Sequence, residues 1–327
     1  MRLERTPMAP MDPSLVTSVE QSSLTELGDI NIDDMIDYVH KDLKKLPEYI
    51  DLYKRYFKHR WNAYDLDFSQ DVIDWRTKMT EEERSAFKEI AAAFHHAERQ
   101  VEIELPVFML SGSEDAKLYL ATQIEDEARH TLFFDRFYRE VVGLPGDSVE
   151  ELLAASFDYV PESFVGSFGL MAHLSDDLRK DPENQVLRVR YATAYFLWIE
   201  GVLALSIMKI TLTYCRTRGY LPGYYTGFIA SCRDEARHVQ FGMRFLREAI
   251  QEDPRLVHEV YETLRTELAM NGGVSQPAPL EPLGWDAEEV TKFMIRQVEH
   301  KLSDVGIDLP PDIAAMVANI QPEIAGG

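Results

Sequence analysis

The sequence has few of the features that mark secreted or membrane-embedded proteins. Its 327 residues include only two cysteines, Cys215 and Cys232, which are too few for a disulfide framework and lack the spacing of a zinc site. Polar residues interrupt its apolar runs before these reach the roughly 18 residues that cross a bilayer. No apolar stretch follows Arg2 and Arg5, as it would in a secretory signal. We therefore predict a soluble, cytoplasmic protein with reduced, buried cysteines and no membrane span.

Positive charge is also scarce. The chain has 34 lysines and arginines against 56 aspartates and glutamates, and its formal net charge is −22. Nucleic-acid binding requires basic patches that neutralise phosphates, so this charge argues against a nucleic-acid partner and against anionic lipid surfaces. Carboxylates that bind cations would make the loaded protein less negative.

Strand patterns are weak throughout, whereas helical periodicity is nearly continuous from Asp33 onward. We predict an all-α fold built on four helices that are much longer than the usual length of about 11 or 12 residues. The first opens with a capping box, Thr80 to Glu83, and Pro106 should end or kink it near Glu102. The other three are predicted at 114–142, 182–216 and from 224 to just before Asp253.

Composition divides the chain into three predicted parts. Residues 1–30 are rich in Met, Pro, Ser and Thr and should form a flexible tail. Residues 31–270 should form the helical domain, with shorter helical pieces around 149–177. Residues 271–327 begin with a linker, "NGGVSQPAPLEPLG", and continue as a C-terminal helical extension from Asp286.

The pentapeptide DEARH occurs twice, each time inside a predicted long helix. In both copies the same Phe, Arg-Phe and Arg-Glu follow at the same offsets. Each copy contains a Glu-x-x-His pair, Glu127 with His130 and Glu235 with His238, and residues three apart share one helix face. A single pair is weak support for a metal site, and a duplication kept for packing would explain the repeated phenylalanines. It would not explain charged residues that recur in the middle of long helices.

Dimetal carboxylate sites in four-helix bundles use two Glu-x-x-His pairs and one further Glu from each of the other two helices. Glu200 is the only charged residue between Arg190 and Lys209, and such an isolated charge is costly to bury unless it is paired or metal-bound. The first helix offers Glu98, Glu102 and Glu104. Position after an alanine-rich stretch favours Glu98, but the pattern leaves the other two open.

The resulting set of four carboxylates and two imidazoles suits iron or manganese better than zinc or copper(I). Asp234 precedes Glu235 and could accept the free N–H of a ligand histidine, as could Asp126 beside Glu127. A plain surface carboxylate is the alternative for both aspartates. Arg129 and Arg237 are expected to form ion pairs around the bundle.

With these residues assembled, the chain resembles the ribonucleotide reductase small-subunit superfamily over roughly residues 55–255. Within it, the sequence is most similar to the small-subunit-like ligand-binding oxidases, which have a ferritin-like four-helix bundle core with additional helices. The segments that carry the resemblance are "RWNAYDLDFSQDVIDW", "FHHAERQVEIELPVF" and "EGVLA". The ungapped match of the second segment selects Glu98 as the ligand.

The resemblance implies a manganese–iron pair, or two irons, that activates dioxygen beside a bound long-chain fatty acid. Glu98, Glu127 and His130 would hold the first ion, with Glu127 bridging. The second ion would be held by Glu200, Glu235 and His238. The oxidases also join a valine and a tyrosine through an ether bond, and the matching positions here are Val101 and Tyr195. Residue patterns alone would assign both to core packing. Relatives also imply a homodimer, and "FVGSFGLMAHL" is expected to line the ligand channel.

Three other functions remain open. A ribonucleotide reductase small subunit is less favoured, because Phe134 stands where those subunits typically carry a radical tyrosine and the last tyrosine is Tyr261. A diiron oxygenase with an external substrate, such as an arylamine N-oxygenase, fits the ligand types and would use an additional histidine from His95, His96 or His173. A non-enzymatic metal store or fatty-acid carrier is the third. A metal-free bundle would require six ligand-type residues to coincide.

Overall fold

The computed structural model describes residues 19–41, 46–161, 164–272 and 280–318. Within these ranges the chain forms helices and turns without any strand, which confirms the predicted all-α class. The α-helices in chain order are α1 (Leu24–Leu27), α2 (Ile32–Lys41), α3 (Tyr49–His59), α4 (Ser69–Thr77), α5 (Glu81–Glu104), α6 (Glu114–Arg136), α7 (Val149–Ser156), α8 (Phe164–Lys180), α9 (Gln185–Ala192), α10 (Leu205–Arg218), α11 (Pro222–Glu252), α12 (Val257–Gly272), α13 (Ala287–Val305) and α14 (Pro311–Ala318).

Helix α5 begins and ends where its sequence signals place it. The Thr80 side chain accepts a hydrogen bond from the Glu83 amide, and the Glu83 carboxylate accepts one from the Thr80 amide, so the predicted capping box is present. The helix ends at Glu104, because the ring of Pro106 would clash with the carbonyl four residues earlier. The chain continues as a 3₁₀ turn, Leu105–Leu110.

The third long helix is interrupted in a way that its apolar pattern does not predict. It runs from Gln185 to Arg218, but its middle, Thr193–Ala204, is a π-helix, which we call the π segment. A second, shorter π stretch, Phe137–Val142, extends α6. π-Helices are rare and are frequently found at functional sites.

This same helix is the one described helix with the length and hydropathy to cross a membrane, contrary to our reading of the apolar runs. However, 72% of its most apolar window is buried inside the protein. Its apolar residues therefore pack in the core of the bundle.

Buried carboxylates hold the start of α11. Asp71 accepts hydrogen bonds from the amides of Gly223 and Tyr224, and Asp74 accepts one from the amide of Leu221. The first amides of a helix have no partner within the helix, so these aspartates satisfy groups that would otherwise be buried unpaired. Because both lie on α4, the segment before α5 fixes the position of α11.

The predicted tail, 1–30, is only partly described, since residues 1–18 lie outside the described ranges. Val19 is fully buried, and the carboxylate of Glu20 accepts hydrogen bonds from Tyr38 and His59. The guanidinium of Arg233 donates to the carbonyl oxygens of Val19 and Ser22. Residues 19–30 thus pack against the bundle. The predicted linker, 271–284, is described only at its two ends.

The apolar core consists of two clusters. One surrounds Phe87 and Phe133, and the other surrounds Phe108 and Phe196. Each long helix contributes to both clusters, and the residues predicted to bind metals lie at or near the point where each helix passes from one cluster to the other. The fold therefore presents a polar centre midway along an otherwise apolar bundle.

Candidate metal centre

The structure brings all six predicted ligands together from four helices. One group of possible ligand atoms comes from Glu98, Glu127, His130 and Glu235, and a second comes from Glu127, Glu200 and His238. In each group the atoms lie within 4.8 Å of one another. All six side chains are at most 5% exposed. The two groups share Glu127, which is the geometry of a pair of adjacent cation sites.

Two carboxylates face both imidazoles. Nδ1 of His238 is 3.3 Å from Glu127 Oε1 and 3.2 Å from Glu235 Oε2. Nδ1 of His130 is 3.8 Å from Glu127 Oε2 and 3.7 Å from Glu235 Oε1. Glu127 was predicted to bridge. Glu235 lies between the two histidines in the same way, which its position in the sequence did not indicate.

The remaining two carboxylates each lie beside one imidazole. Glu98 Oε2 is 3.5 Å from His130 Nδ1, and Glu200 Oε1 is 3.3 Å from His238 Nδ1. Glu102 and Glu104, the alternatives to Glu98, belong to neither group, and Glu104 instead pairs with Arg179 on α8. Of the three glutamates, Glu98 is therefore the one that lies in the carboxylate–histidine cluster.

The outer nitrogens of the two histidines contact the aspartates of the opposite DEARH copy. Asp234 Oδ2 accepts from His130 Nε2, and Asp126 Oδ2 accepts from His238 Nε2, each at 3.2 Å. A carboxylate requires a protonated ring nitrogen, so these contacts place a proton on Nε2 of each ring. They leave Nδ1 of each ring facing the centre.

Both arginines of the motif bind both aspartates. Arg237 donates to Asp126 at 2.7 Å and to Asp234 at 2.9 Å, and Arg129 donates to Asp234 at 2.9 Å and also to Asp126. All four side chains are 5% exposed or less. Two positive and two negative charges therefore balance inside the bundle, as a buried ion-pair network requires. The duplicated DEARH thus provides two crossed halves of one network, and its Asp, Glu, Arg and His all take part.

The π segment places Tyr195 and Glu200 next to the same glutamine. Gln123 Nε2 donates to the Tyr195 hydroxyl at 2.9 Å and to Glu200 Oε1 at 3.2 Å. The Tyr195 hydroxyl in turn donates to Glu127 Oε1 at 3.0 Å. In a helix bonded from i to i+5, residues five apart lie on the same side of the helix, whereas in an α-helix they point in different directions. The unusual helix therefore brings the tyrosine to the carboxylate cluster.

Burial and mutual repulsion make the negatively charged form of the central carboxylates unfavourable. Burial raises the pKa of Glu127 well above its ordinary value, and neighbouring carboxylates add to the rise although His238 opposes it. Burial likewise raises the pKa of Glu200 to about 7. Burial by itself would lower the pKa of His130, but Glu98 and Asp234 raise it to about 10. Because metal ligands must be deprotonated, binding of cations here would release the protons that these shifts favour.

The side chains fit a pair of hard cations. His130 Nδ1 and Glu200 Oε2 are buried and have no hydrogen-bond partner among the described residues. Unpaired buried polar atoms are costly, and coordination to an ion would satisfy both. Oxygen-rich sites with two imidazoles suit manganese and iron.

Comparison with known proteins agrees with this geometry. The family model described as ribonucleotide reductase, small chain, matches residues 44–308. The chain belongs to this family. Together with the carboxylate–histidine centre, this membership makes the protein a dinuclear metal-dependent oxidoreductase.

Solved structures of similar fold include several R2-like ligand-binding oxidases. A variant with an aerobically reconstituted Mn/Fe cofactor is 24% identical with a TM-score of 0.68, covering 78% of this chain and 92% of the other. The R2-like ligand-binding oxidase from Sulfolobus acidocaldarius is 19% identical with a TM-score of 0.69, covering 82% and 94%. A variant with an Fe/Fe cofactor is 23% identical with a TM-score of 0.62, covering 78% and 92%. These likenesses confirm the ferritin-like fold of the reductase small-chain family.

Three further histidines were candidates for the additional ligand of an oxygenase with an external substrate. None of them belongs to the candidate metal centre. His95 stacks on Tyr138 and, with His96, contacts the Ser156 hydroxyl on α7. His173 is on the surface of α8, where it lies 3.6 Å from Asp177. Neither metal-ligand group includes any of the three.

Sequence reasoning missed two contacts that link the centre to its surroundings. Trp61 Nε1 donates to Asp234 Oδ2 at 2.8 Å, and the indole stacks on His130 with ring centroids 6.3 Å apart. Arg237 donates to His59 Nδ1 at 3.0 Å, and the opposite nitrogen of His59 contacts Glu20 at 2.9 Å. Trp61 lies in "RWNAYDLDFSQDVIDW", so the resemblance marked its segment but not its role. The pattern around Glu20 contains no comparable signal.

Proposed function

We propose that this reductase small-chain family member is an oxidase that activates dioxygen at a Mn/Fe or Fe/Fe pair. Glu98, Glu127 and His130 would hold one ion, and Glu200, Glu235 and His238 the other. The metal pair, when bound, supplies the reducing electrons that dioxygen requires. The protein holds the ligands in a buried, apolar environment, which keeps the oxidising equivalents away from water.

The observation that carries this proposal is the position of Tyr195. Its hydroxyl is fully buried and donates to Glu127, the carboxylate shared by both ligand groups. Burial raises the pKa of Tyr195 well above its ordinary value, so the phenol keeps its proton until it reacts. A phenol held against this shared carboxylate is placed to give its proton to Glu127, and the metal pair, when bound, would supply the oxidising chemistry.

We propose that Tyr195 forms an ether bond with Val101. Val101 is 4% exposed and packs in the same apolar cluster as Tyr195. The reaction removes the hydroxyl hydrogen of tyrosine and the β-hydrogen of valine, and it joins phenol oxygen to β-carbon. Two electrons and two protons leave the side chains for dioxygen; the bound metal pair would supply the other two electrons, and solvent two protons, so that dioxygen becomes two water molecules. The product is therefore two hydrogens lighter than the unmodified chain.

The bound ligand of the proposed oxidase is a long-chain fatty acid. Phe168, Met171 and Leu174 of α8 belong to the apolar cluster that also contains Val101 and Tyr195, so the predicted channel wall is apolar and part of the same core as the reacting pair. An acyl chain would lie against this surface, with its carboxylate toward the metals. A homodimer in the cytoplasm is the further expectation for this function.

The test is mass spectrometry of the full chain loaded with manganese and iron under anaerobic conditions, before and after exposure to air. The expected product is a linked pair of peptides carrying Val101 and Tyr195, with the mass of two hydrogens lost. Tyr195→Phe should abolish the link. Tyr191→Phe is the matched control, since Tyr191 is equally buried on α9 and the link should still form. Bound metals without a link in the wild-type protein would contradict the proposed reaction.

A further inference from the structure

Gln123 is a buried amide whose two hydrogen-bond partners both belong to the proposed reaction. The side chain is fully buried on α6, one turn before Glu127, so the two residues share one face of the helix. Its amino group donates to the Tyr195 hydroxyl at 2.9 Å and to Glu200 Oε1 at 3.2 Å. An amide nitrogen carries two hydrogens, so both bonds form at once. The amide therefore joins the reacting phenol to a carboxylate of the second ligand group.

The orientation of this amide has a cost. An ionised carboxylate only accepts hydrogen bonds, so Glu200 favours the amino end of Gln123, and the same orientation turns that end toward the phenol. The other end, Gln123 Oε1, is buried and has no hydrogen-bond partner among the described residues. Unpaired buried acceptors are uncommon in native proteins, and a catalytic role is one reason for retaining them. Gln123 thus forgoes a hydrogen bond in the orientation that serves Tyr195.

The contact from Gln123 determines where the phenol proton points. A hydroxyl has one hydrogen to donate and two lone pairs that accept. Because an N–H of Gln123 points at the phenol oxygen, the hydroxyl hydrogen must point elsewhere, and it is donated to Glu127 Oε1 at 3.0 Å. Gln123 occupies one lone pair, so the second is the one that remains for the proposed bond to the β-carbon of Val101.

The same contact favours loss of the proton. Negative charge develops on the phenol oxygen as its proton moves to Glu127, and a hydrogen bond to the charged form is about twice as strong as one to the neutral form. The N–H of Gln123 is already in place before the reaction, so no donor has to be reoriented in the buried site.

We infer that Gln123 is a positioning residue for the ether bond between Tyr195 and Val101. It directs the phenol proton to Glu127 and stabilises the phenol oxygen as that proton leaves. Gln123 keeps both of its own hydrogens, and the only proton that moves in this step passes from Tyr195 to Glu127. The inference rests on the proposed function, because the link is the reaction that this amide serves.

The hydrogen bond is tested first, on the metal-free full chain, by infrared spectroscopy with isotope-labelled tyrosine. The difference between each protein and its Tyr195→Phe counterpart isolates the C–O stretching band of Tyr195, which responds to hydrogen bonds at the phenol oxygen. Gln123→Met keeps the length of the side chain but has no N–H. Its band should move from the position of a phenol that both donates and accepts to that of one that only donates. Solutions of p-cresol supply the reference positions.

A second variant and a matched control accompany this measurement. Gln123→Asn retains an amide but is one methylene shorter, so it should shift the band in the same direction even if Gln123→Met fails to fold. Gln240→Met is the control. Gln240 is an equally buried glutamine on α11, and its amide oxygen accepts from Arg55 at 2.8 Å, so its replacement should leave the Tyr195 band unchanged.

The role in the reaction is tested by the rate at which linked Val101 and Tyr195 peptides appear after air is admitted to protein loaded with manganese and iron. Only chains that hold both ions are compared, because Gln123 also contacts Glu200. Gln123→Met should slow the link by roughly 10–100-fold, as expected for loss of a hydrogen bond to a charged group. Gln240→Met should form the link at the wild-type rate.

Three results would overturn the inference: an unchanged Tyr195 band in both Gln123 variants, an equal shift in Gln240→Met, or a shifted band with an unchanged rate of linking. Failure of the wild-type protein to form any link is a different outcome. It would count against the proposed function, whereas the infrared result on metal-free protein would still show whether Gln123 donates to Tyr195.

Discussion

Replacement of Asp234 by asparagine tests whether the DEARH network holds the centre together. The carboxylate is fully buried and accepts from four donors. Oδ2 binds Trp61, Arg129 and His130, whereas Oδ1 binds Arg237 at 2.9 Å. Arg129 and Arg237 hold the pKa of Asp234 well below its ordinary value against the effect of burial. Asn keeps the shape but has one acceptor oxygen. If that oxygen faces the three donors, its amino group must face the guanidinium of Arg237.

The magnitude follows from the charge balance. In Asp234→Asn the two buried guanidinium groups share Asp126, and Arg129 also keeps the partly exposed Glu125, whereas Arg237 loses one of its two carboxylate partners. Breaking a buried pair by removing one partner costs about 3–5 kcal/mol. We expect a loss near the lower limit, about 3 kcal/mol, because Asp126 still accepts from both arginines. Metal affinity at the position nearest His130 should also fall by roughly 10–100-fold, as is usual when the outer partner of a ligand histidine is lost.

The assay is urea unfolding of the metal-free protein, followed by metal titration of the folded protein. Asp135→Asn is the control, since Asp135 is a similarly buried aspartate, on α6, but pairs at 3.2 Å with Arg139, whose side chain is 33% exposed. Partly exposed pairs contribute about 1 kcal/mol or less. An Asp234→Asn protein as stable as this control, with unchanged metal affinity, would refute the view that the crossed network is structural.

Three further outcomes are expected from urea unfolding. Gly242→Ala should lower the free energy of unfolding by about 3 kcal/mol, because its new methyl group would lie 2.0 Å from Cβ of Phe196. An unchanged urea midpoint would show that the π segment can move to make room for it. Burial lowers the pKa of Lys301 to about 7, so between about pH 7 and 10 the unfolded chain binds more protons than the folded protein does. The free energy of unfolding of the wild type should therefore rise with pH in this range. Lys301→Met should abolish this rise. Burial lowers the pKa of His59 to about 4, so stability should fall as pH drops from about 6.5 to 4, and His59→Gln should flatten this slope.

The sequence by itself predicted the helices and the set of residues at the centre. Helical periodicity and caps are local signals, and the Thr80–Glu83 box and Pro106 marked the limits of α5 because both act within one turn. The duplicated Glu-x-x-His and the isolated Glu200 pointed to a buried polar site, because charge in an apolar helix requires compensation. The structure brings these residues together as predicted.

Tertiary structure alone decided how the residues are paired. Each aspartate contacts the histidine of the other DEARH copy, which depends on how α6 and α11 lie against each other and not on spacing within either helix. The π segment, which brings Tyr195 and Glu200 to Gln123, arises in a run of apolar residues whose pattern is equally compatible with an α-helix. Its hydrogen-bond register is set by packing. The same holds for the contacts of Trp61 and Glu20, which come from segments distant in the chain and meet the centre only because the bundle folds around it.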